Sequence, residues 1–256
     1  MWRIIPAETR DAGMNMALDE ACMEAMFEGR VGPTVRFYRW QPSAVSIGTF
    51  QSMRDEVAVD ICNREGVAMV RRRTGGGAVY HDSQGELTYS VIAPESFFPT
   101  DIIESYKLIC GWIIDGLKNL GISQADFHPI NDILAFGKKI SGNAQTRRKG
   151  LLLQHGTILY RVDVRKMFRY LTVGQDKIAD KLIASVEERV TSIQTLLPEV
   201  SLDQVQQVLV EAFMAGVKTL SPNIQPEIGS WTTEELGRAR ELIAERYIRD
   251  EWNFMR

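Results

Sequence analysis

The chain has 256 residues, of which 45% are apolar and 25% charged, with a net charge of −3. That balance is ordinary for a globular protein, and it excludes a disordered chain and a strongly basic, non-specific nucleic-acid binder. Three cysteines, Cys22, Cys62 and Cys110, form no CxxC pair, which excludes a metal knuckle and points to reduced thiols in the cytoplasm.

Taken in order, Met14, Ala17, Leu18, Ala21, Cys22, Ala25 and Met26 share one face of a predicted helix over 14–29, with Gly29 as its stop. Residues 34–40 and 44–48 read as strands around Pro42, and 55–64 as a short helix. A strand over 67–70 feeds Arg71-Arg72-Arg73, and the glycine triplet after it reads as a turn into a strand from Ala78. Residues 86–93 alternate as a strand, and 101–120 carry apolar residues at helical spacing. Asp132–Phe136 and Lys139–Ser141 read as strands joined by a Gly137-Lys138 turn, and 151–160 as the most apolar strand. Helices are expected over 163–171, 175–185, 202–217 and 233–249. Ser201 can cap the third of these, and Thr232 with Glu235 forms a capping box for the fourth. The expected fold is a single α+β domain over 1–256, with a mixed β-sheet, flanking helices and a mostly helical C-terminal third. The N-terminus lacks a basic region followed by an apolar run, and no apolar stretch approaches the ~18 residues of a membrane span, so a soluble protein without a signal peptide is expected.

The densest chemistry lies in Arg71-Arg72-Arg73-Thr74-Gly75-Gly76-Gly77-Ala78-Val79-Tyr80-His81-Asp82. Arginine suits bidentate anion recognition, and consecutive glycines let backbone N–H groups approach an anion closely. Strand alternation would put Arg71 and Arg73 on one face and Arg72 on the other. A bare arginine run reads as a solvated patch, whereas arginines joined to the glycines point to an anion site. No P-loop or dinucleotide fingerprint is present. A second segment, Gly137-Lys138-Lys139-Ile140-Ser141-Gly142-Asn143-Ala144-Gln145, could bring a lysine to a phosphate or carbonyl oxygen, with small residues leaving room for a ligand. Alone it reads as a plain hairpin, and Asn131-Asp132 as turn chemistry. His81, His128 and His155 each read as hydrogen-bonded structural histidines. The absence of a GxSxG elbow removes the serine-hydrolase reading.

Together, RRRTGGGAVYHD, GKKISGNAQ and QHGTILY resemble the lipoate–protein ligase catalytic domain. Asn15–Glu20, Val45–Gly48 with Gln51, Ser185–Ser192 and Glu251–Phe254 are also similar to segments of that family, so the resemblance covers nearly the whole chain. It implies the fold shared with biotin protein ligases and class II aminoacyl-tRNA synthetase cores. It further implies that lipoate and ATP, with Mg2+, give lipoyl-AMP. The acyl group would then pass to a lysine of a lipoyl-domain acceptor, such as the E2 component of 2-oxoacid dehydrogenases or the glycine-cleavage H protein. By match to the motif, Arg72 and Gly77, Ala78, Val79 and Tyr80 would contact phosphate and the lipoyl chain. Lys139 would be the catalytic cation at the adenylate, and Gly75, Gly76, His81 and Asn131 are second choices. Val45, Ile47 and Val79 would line an apolar tunnel for the acyl tail.

Single-chain bacterial members carry an accessory domain after the point matched by Trp252-Asn253, so the resemblance implies a separate small accessory subunit. No nucleic-acid or membrane partner is expected. The same fold hosts octanoyl- and lipoyl-transferases that use a cysteine nucleophile and no ATP. Neither Gln124–Ile133 nor residues 156–190 contain a cysteine, so the adenylating ligase is the expected activity. A transferase, kept open by the stretch Gln145–Gly150, and a catalytically silent binding protein are the alternatives.

Overall fold

The computed structural model describes residues 1–172, 176–220 and 223–256, with backbone alone over 176–180. The strands are β1 (Trp2–Arg10), β2 (Thr34–Trp40), β3 (Ala44–Ile47), β4 (Ala68–Arg71), β5 (Val79–His81), β6 (Glu86–Pro94), β7 (Ala125–His128), β8 (Asp132–Ala135), β9 (Lys138–Arg148), β10 (Leu151–Leu159) and β11 (Pro226–Ile228). The α-helices are α1 (Ala12–Phe27), α2 (Met53–Glu56), α3 (Val59–Glu65), α4 (Ile102–Asn119), α5 (Val164–Tyr170), α6 (Asp176–Arg189), α7 (Ile193–Leu196), α8 (Leu202–Leu220), α9 (Thr233–Leu242) and α10 (Asp250–Asn253).

Eight strands form one sheet in the order β11-β1-β2-β6-β10-β9-β8-β7, and β4-β3-β5 form a second. β1 runs parallel to β2 and to β11, while the pairs from β2 through β7 are antiparallel, so the large sheet is mixed as expected. Period-two alternation sorts the large sheet's faces. Val35, Phe37, Leu87, Tyr89 and Val91 pack with Ile109, Ile113, Leu209 and Phe213 of α4 and α8. Tyr38, Trp40, Ile92, Leu151 and Leu153 face the other way, with Ala17, Leu18 and Ala21 of α1 and Ala239 and Leu242 of α9. The small sheet lies over this second face. Its own outer side, Val45, Ile47 and Tyr80, closes a third core with Met53, Cys62 and Tyr170.

Most expected elements are present, with informative differences. β1 was not expected: Pro6 interrupts its pattern, and its register shifts between Ile5 and Glu8. The helix read over 55–64 is two helices, because Val57 is extended and bridges Leu171, and Ala58 N–H donates to the Tyr170 carbonyl. The 175–185 helix is found as α6, and residue 175 lies outside the described residues. The 233–249 helix stops at Leu242 and widens into a π-turn over Ile243–Tyr247, and its capping box is formed by Thr232 and Glu235. Ser201 Oγ accepts from Gln204 N–H as the expected cap. No helix of the described residues is long and apolar enough to cross a membrane.

Candidate functional site

The glycine loop fills the space between the two sheets. β4 ends at Arg71, so alternation does not continue through the arginines and the expected face-sharing of Arg71 and Arg73 is not realised. Residues 72–78 fold back over the end of β3 instead, through Arg72 N–H to the Ile47 carbonyl (3.0 Å) and Thr49 N–H to the Thr74 carbonyl (2.9 Å). Only glycine permits this approach at position 48, where a Cβ would stand 2.2 Å from the Gly76 carbonyl oxygen. Gly76 itself has φ +97°, the left-handed region.

Each arginine is used inside the protein. Arg71 is fully buried. Its Nη1 donates to the carbonyls of Gly48, Thr49 and Gln51, its Nε to Trp252 and its Nη2 to Asn253. Arg72 donates from Nε to Thr74 Oγ1 (3.2 Å), from Nη1 to the Ser46 carbonyl (3.2 Å) and Ser46 Oγ (3.3 Å), and from Nη2 to the carbonyls of Gly75 and Gly77 (both 2.8 Å). Burial pulls its pKa down to about 10, so it stays charged at neutral pH. No carboxylate pairs with it among the described residues. Arg73, half-buried, pairs with Glu20 at 3.1 Å. The arginines therefore brace the loop. Phosphate contact by Arg72, which the resemblance implies, would compete with the bonds that hold Gly75 and Gly77.

Two hydroxyl–imidazole–carboxylate chains converge beside Arg72. Ser46 Oγ lies 2.8 Å from His81 Nε2, and His81 Nδ1 lies 2.6 Å from Glu86 Oε1. Thr88 Oγ donates to Glu86, Trp40 Nε1 donates to Thr88, and the Trp40 ring stacks on His81 at 3.9 Å. Thr74 Oγ1 lies 2.7 Å from His155 Nε2, whose Nδ1 faces Asp19 Oδ2 at 3.4 Å. Ser90 Oγ donates to the same Asp19 oxygen, and Arg36 sits 3.3 Å from the other. Burial pushes His155 below the ordinary histidine value, and the Asp19 hydrogen bond only partly opposes this. Histidine, read as structural from the sequence, is the element that ties the loop and the small sheet to the large one.

On the far side, a bulge sets Lys139. Ile133 pairs with Ser141 and Leu134 with Lys139, which leaves Ile140 as the extra residue. Lys139 Nζ pairs with Asp132 at 2.8 Å, with its side chain 42% exposed. It lies 3.0 Å from where a Gly142 Cβ would be, so the glycine clears its path. Asn131 does not reach outward: its side-chain amide and its carbonyl both bond Asn143, which also takes the Tyr89 hydroxyl at 2.7 Å.

The remaining expected site residues divide by face. Val79 pairs with Ser46 and shares its inward face. Tyr80 pairs with Val45 and turns to the third core, where it stacks on Tyr170 at 4.9 Å, and Ala78 and Ile47 pack there too. Gly75 and Gly77 have open space where a Cβ would go. Asp19, Ser46, Thr74 and Glu86 were not singled out from the sequence. For Ser46 and Glu86 the signal was latent in polar residues on otherwise apolar strands, whereas Asp19 on α1 and Thr74 in the loop carry none. The cysteines lie on helices as expected, and all three are buried. Burial pushes Cys22 and Cys110 up to about 12 and Cys62 up to about 11, so none is a thiolate at neutral pH.

The profile of the lipoyl protein ligase A/B catalytic domain matches residues 11–214. The octanoyltransferase LipM of Brevibacillus brevis is 36% identical across 100% of this chain and 99% of its own length. The octanoyltransferase LipM of Kyrpidia tusciae is 36% identical across 99% and 98%. Among solved structures, a bi-partite lipoate protein ligase of Thermoplasma acidophilum, described with its E2 lipoyl domain, is 31% identical with a TM-score of 0.86, covering 98% of this chain and 94% of that one. The α+β fold of lipoate protein ligases is thus the observed one. The expected activity needs correction. Curated relatives matched end to end are octanoyltransferases, and this overturns the ATP-dependent ligase together with its ATP, Mg2+ and lipoate. In the structure Arg71 and Arg72 donate to carbonyl oxygens inside the protein, whereas Lys139 stays partly exposed beside Asp132. With the resemblance and the matched profile in agreement, the chain belongs to the lipoyl protein ligase A/B catalytic domain family.

Proposed function

We propose that the protein is an acyltransferase that moves an octanoyl group from a thioester donor to a lysine of a lipoyl-domain acceptor, without ATP and without a cysteine-bound intermediate. The observation that carries this reading is the end-to-end similarity to octanoyltransferases. The absence of an ATP step follows from the chemistry: a thioester is already activated, and an amine can attack it directly. The absence of a covalent step is supported by the three buried, protonated thiols.

In this reading the acceptor amine attacks the thioester carbonyl, the tetrahedral oxyanion forms and collapses, and the thiol leaves with a proton. Lys139 Nζ, the partly exposed cation, stabilises the oxyanion. Arg72, without a carboxylate partner among the described residues, adds positive potential behind the loop. Gly142 leaves room for the Lys139 ammonium, and Val79 lines the inward face for the acyl chain. An accessory subunit belongs with adenylation, and acyl transfer from a thioester requires none.

The test is mass spectrometry of an unmodified lipoyl domain incubated with the protein and an octanoyl thioester in nucleotide-free buffer. One added octanoyl group per domain is the expected result. An acceptor that stays unmodified with every thioester offered would refute the reading.

A further inference from the structure

Beside Lys139 lies a cavity of about 720 Å³ that the chemistry above does not use. Its walls are the turn Asp82-Ser83-Gln84, the start of β9, residues 161–166 and the segment around Val190 and Thr191. It is joined to the site at both ends. Asp82 directly follows His81, and Thr191 N–H donates to the Lys139 carbonyl at 2.9 Å.

The charges on its walls are unequal in a specific way. Each carboxylate is engaged. Asp82 takes Lys166 at 2.6 Å, Glu187 takes Arg165 at 3.5 Å, and Asp163 caps α5 by accepting from Lys166 N–H. Lys138 and Arg161 also line the cavity, are exposed, and have no carboxylate within ion-pair distance among the described residues. With Asp82 and Glu187 ion-paired, Lys138 and Arg161 stand against the single charge of Asp163, and this surplus of positive charge favours an anion. Lys138 and Lys139 are consecutive on β9, and Thr191 of the cavity wall bonds the Lys139 backbone, so the cavity and the proposed reacting centre share this strand.

We infer that this cavity seats the phosphate of the donor's thiol arm, with Lys138 and Arg161 as its cations, and that the arm runs from there past Lys139 to deliver its thioester. The identity of the ligand rests on the transfer reading; the anion preference does not. The shared chemistry is a phosphopantetheine arm, carried either by an acyl-carrier protein or by coenzyme A.

The test compares binding of 4′-phosphopantetheine and pantetheine to the full chain by calorimetry. Phosphopantetheine is expected to bind about tenfold tighter, and Lys138→Ala/Arg161→Ala to remove the difference. Both side chains are exposed, so an unchanged melting curve is expected, and Arg161→Glu serves as a second variant that should disfavour the phosphate form further. Equal binding of the two probes, or a preference that survives the double variant, overturns the inference. Transfer assays separate it from the reading it rests on. If octanoyl transfer fails from every donor while the phosphate preference stands, only the transferase falls. If transfer runs with the same KM from octanoyl-pantetheine and octanoyl-phosphopantetheine, the phosphate seat falls and the transferase stands. A raised KM in the double variant for octanoyl-carrier protein alone assigns the arm to a carrier, and for octanoyl-coenzyme A as well assigns the shared phosphate.

Discussion

Thr74 Oγ1 and His155 Nε2 are 2.7 Å apart, and this bond joins the glycine loop to β10 of the large sheet. Both residues are buried, so Thr74→Val would leave an imidazole nitrogen without a partner in the interior. The expected cost is about 1–3 kcal/mol, a fall of several degrees in Tm, together with reduced transfer activity as the loop loosens. Calorimetry of Thr74→Val beside Thr74→Ser, which keeps the hydroxyl, checks this: equal losses in the two would mean that the hydroxyl bond contributes nothing.

The same histidine gives the fold a pH dependence. Burial lowers the folded-state pKa of His155 beneath its ordinary value of 6.5. The unfolded chain then takes up a proton that the folded protein refuses, so this contribution is fully present above about pH 6.5 and is lost as pH falls from there towards the depressed folded value. Glu20 adds an acid limb lower down. Burial pushes it up, but hydrogen bonds from Arg246 and Tyr247 outweigh this and hold it below 4.5, so its contribution is lost as pH falls through that region. Tm measured from about pH 7.5 to about pH 5.5 should decline, and His155→Gln should flatten that decline. A wild-type Tm that rises on acidification across this interval would contradict the assignment.

Lys139→Ala separates chemistry from folding. The lysine is 42% exposed and pairs with a carboxylate that is itself 28% exposed, so its loss should change stability by no more than about 0.5–1 kcal/mol. Transfer should fall by about 100-fold or more if the ammonium stabilises the oxyanion. Turnover at the wild-type rate would remove Lys139 from the mechanism.

Thiol reagents offer a direct check on the cysteine-independent route. With Cys22, Cys62 and Cys110 buried and protonated, iodoacetamide on the native protein at neutral pH should label none of them and leave transfer intact. Inactivation that parallels alkylation of one cysteine would restore a thiol intermediate.

The glycines should not behave alike. Gly48→Ala would drive a methyl group to 2.2 Å from the Gly76 carbonyl oxygen, whereas Gly75→Ala and Gly77→Ala meet open space. We expect Gly48→Ala to lose several kcal/mol or fail to fold, and the other two to melt within about 1 kcal/mol of wild type. Thermal melts of the three variants, taken together, show whether loop closure depends on that single contact.

Much of this architecture was legible in the sequence because period-two and 3.6-residue patterns report burial directly. β2, β6 and α4 carry such patterns cleanly. β1 was hidden by Pro6, and the 55–64 helix was overread because only tertiary pairing of Val57 with Leu171 reveals the break. At the site, the motif pointed to the loop and the lysine but not to the bonds they make. Composition cannot show that Arg71 and Arg72 spend their donors on carbonyls, since those acceptors lie on β3, the loop itself and residues 252–253. Nor can it show the bulge that aims Lys139, which depends on the register of β8 against β9.

Arg71 also ties distant parts of the chain together. Its backbone N–H and its guanidinium both bond Asn253, 182 positions along the chain. A polypeptide emerging from the ribosome therefore holds its glycine loop long before it holds the residue that fixes the strand feeding that loop. The strand that feeds the loop is thus fixed by a contact of high sequence separation, the kind whose loop-closure entropy must be paid before the contact can form.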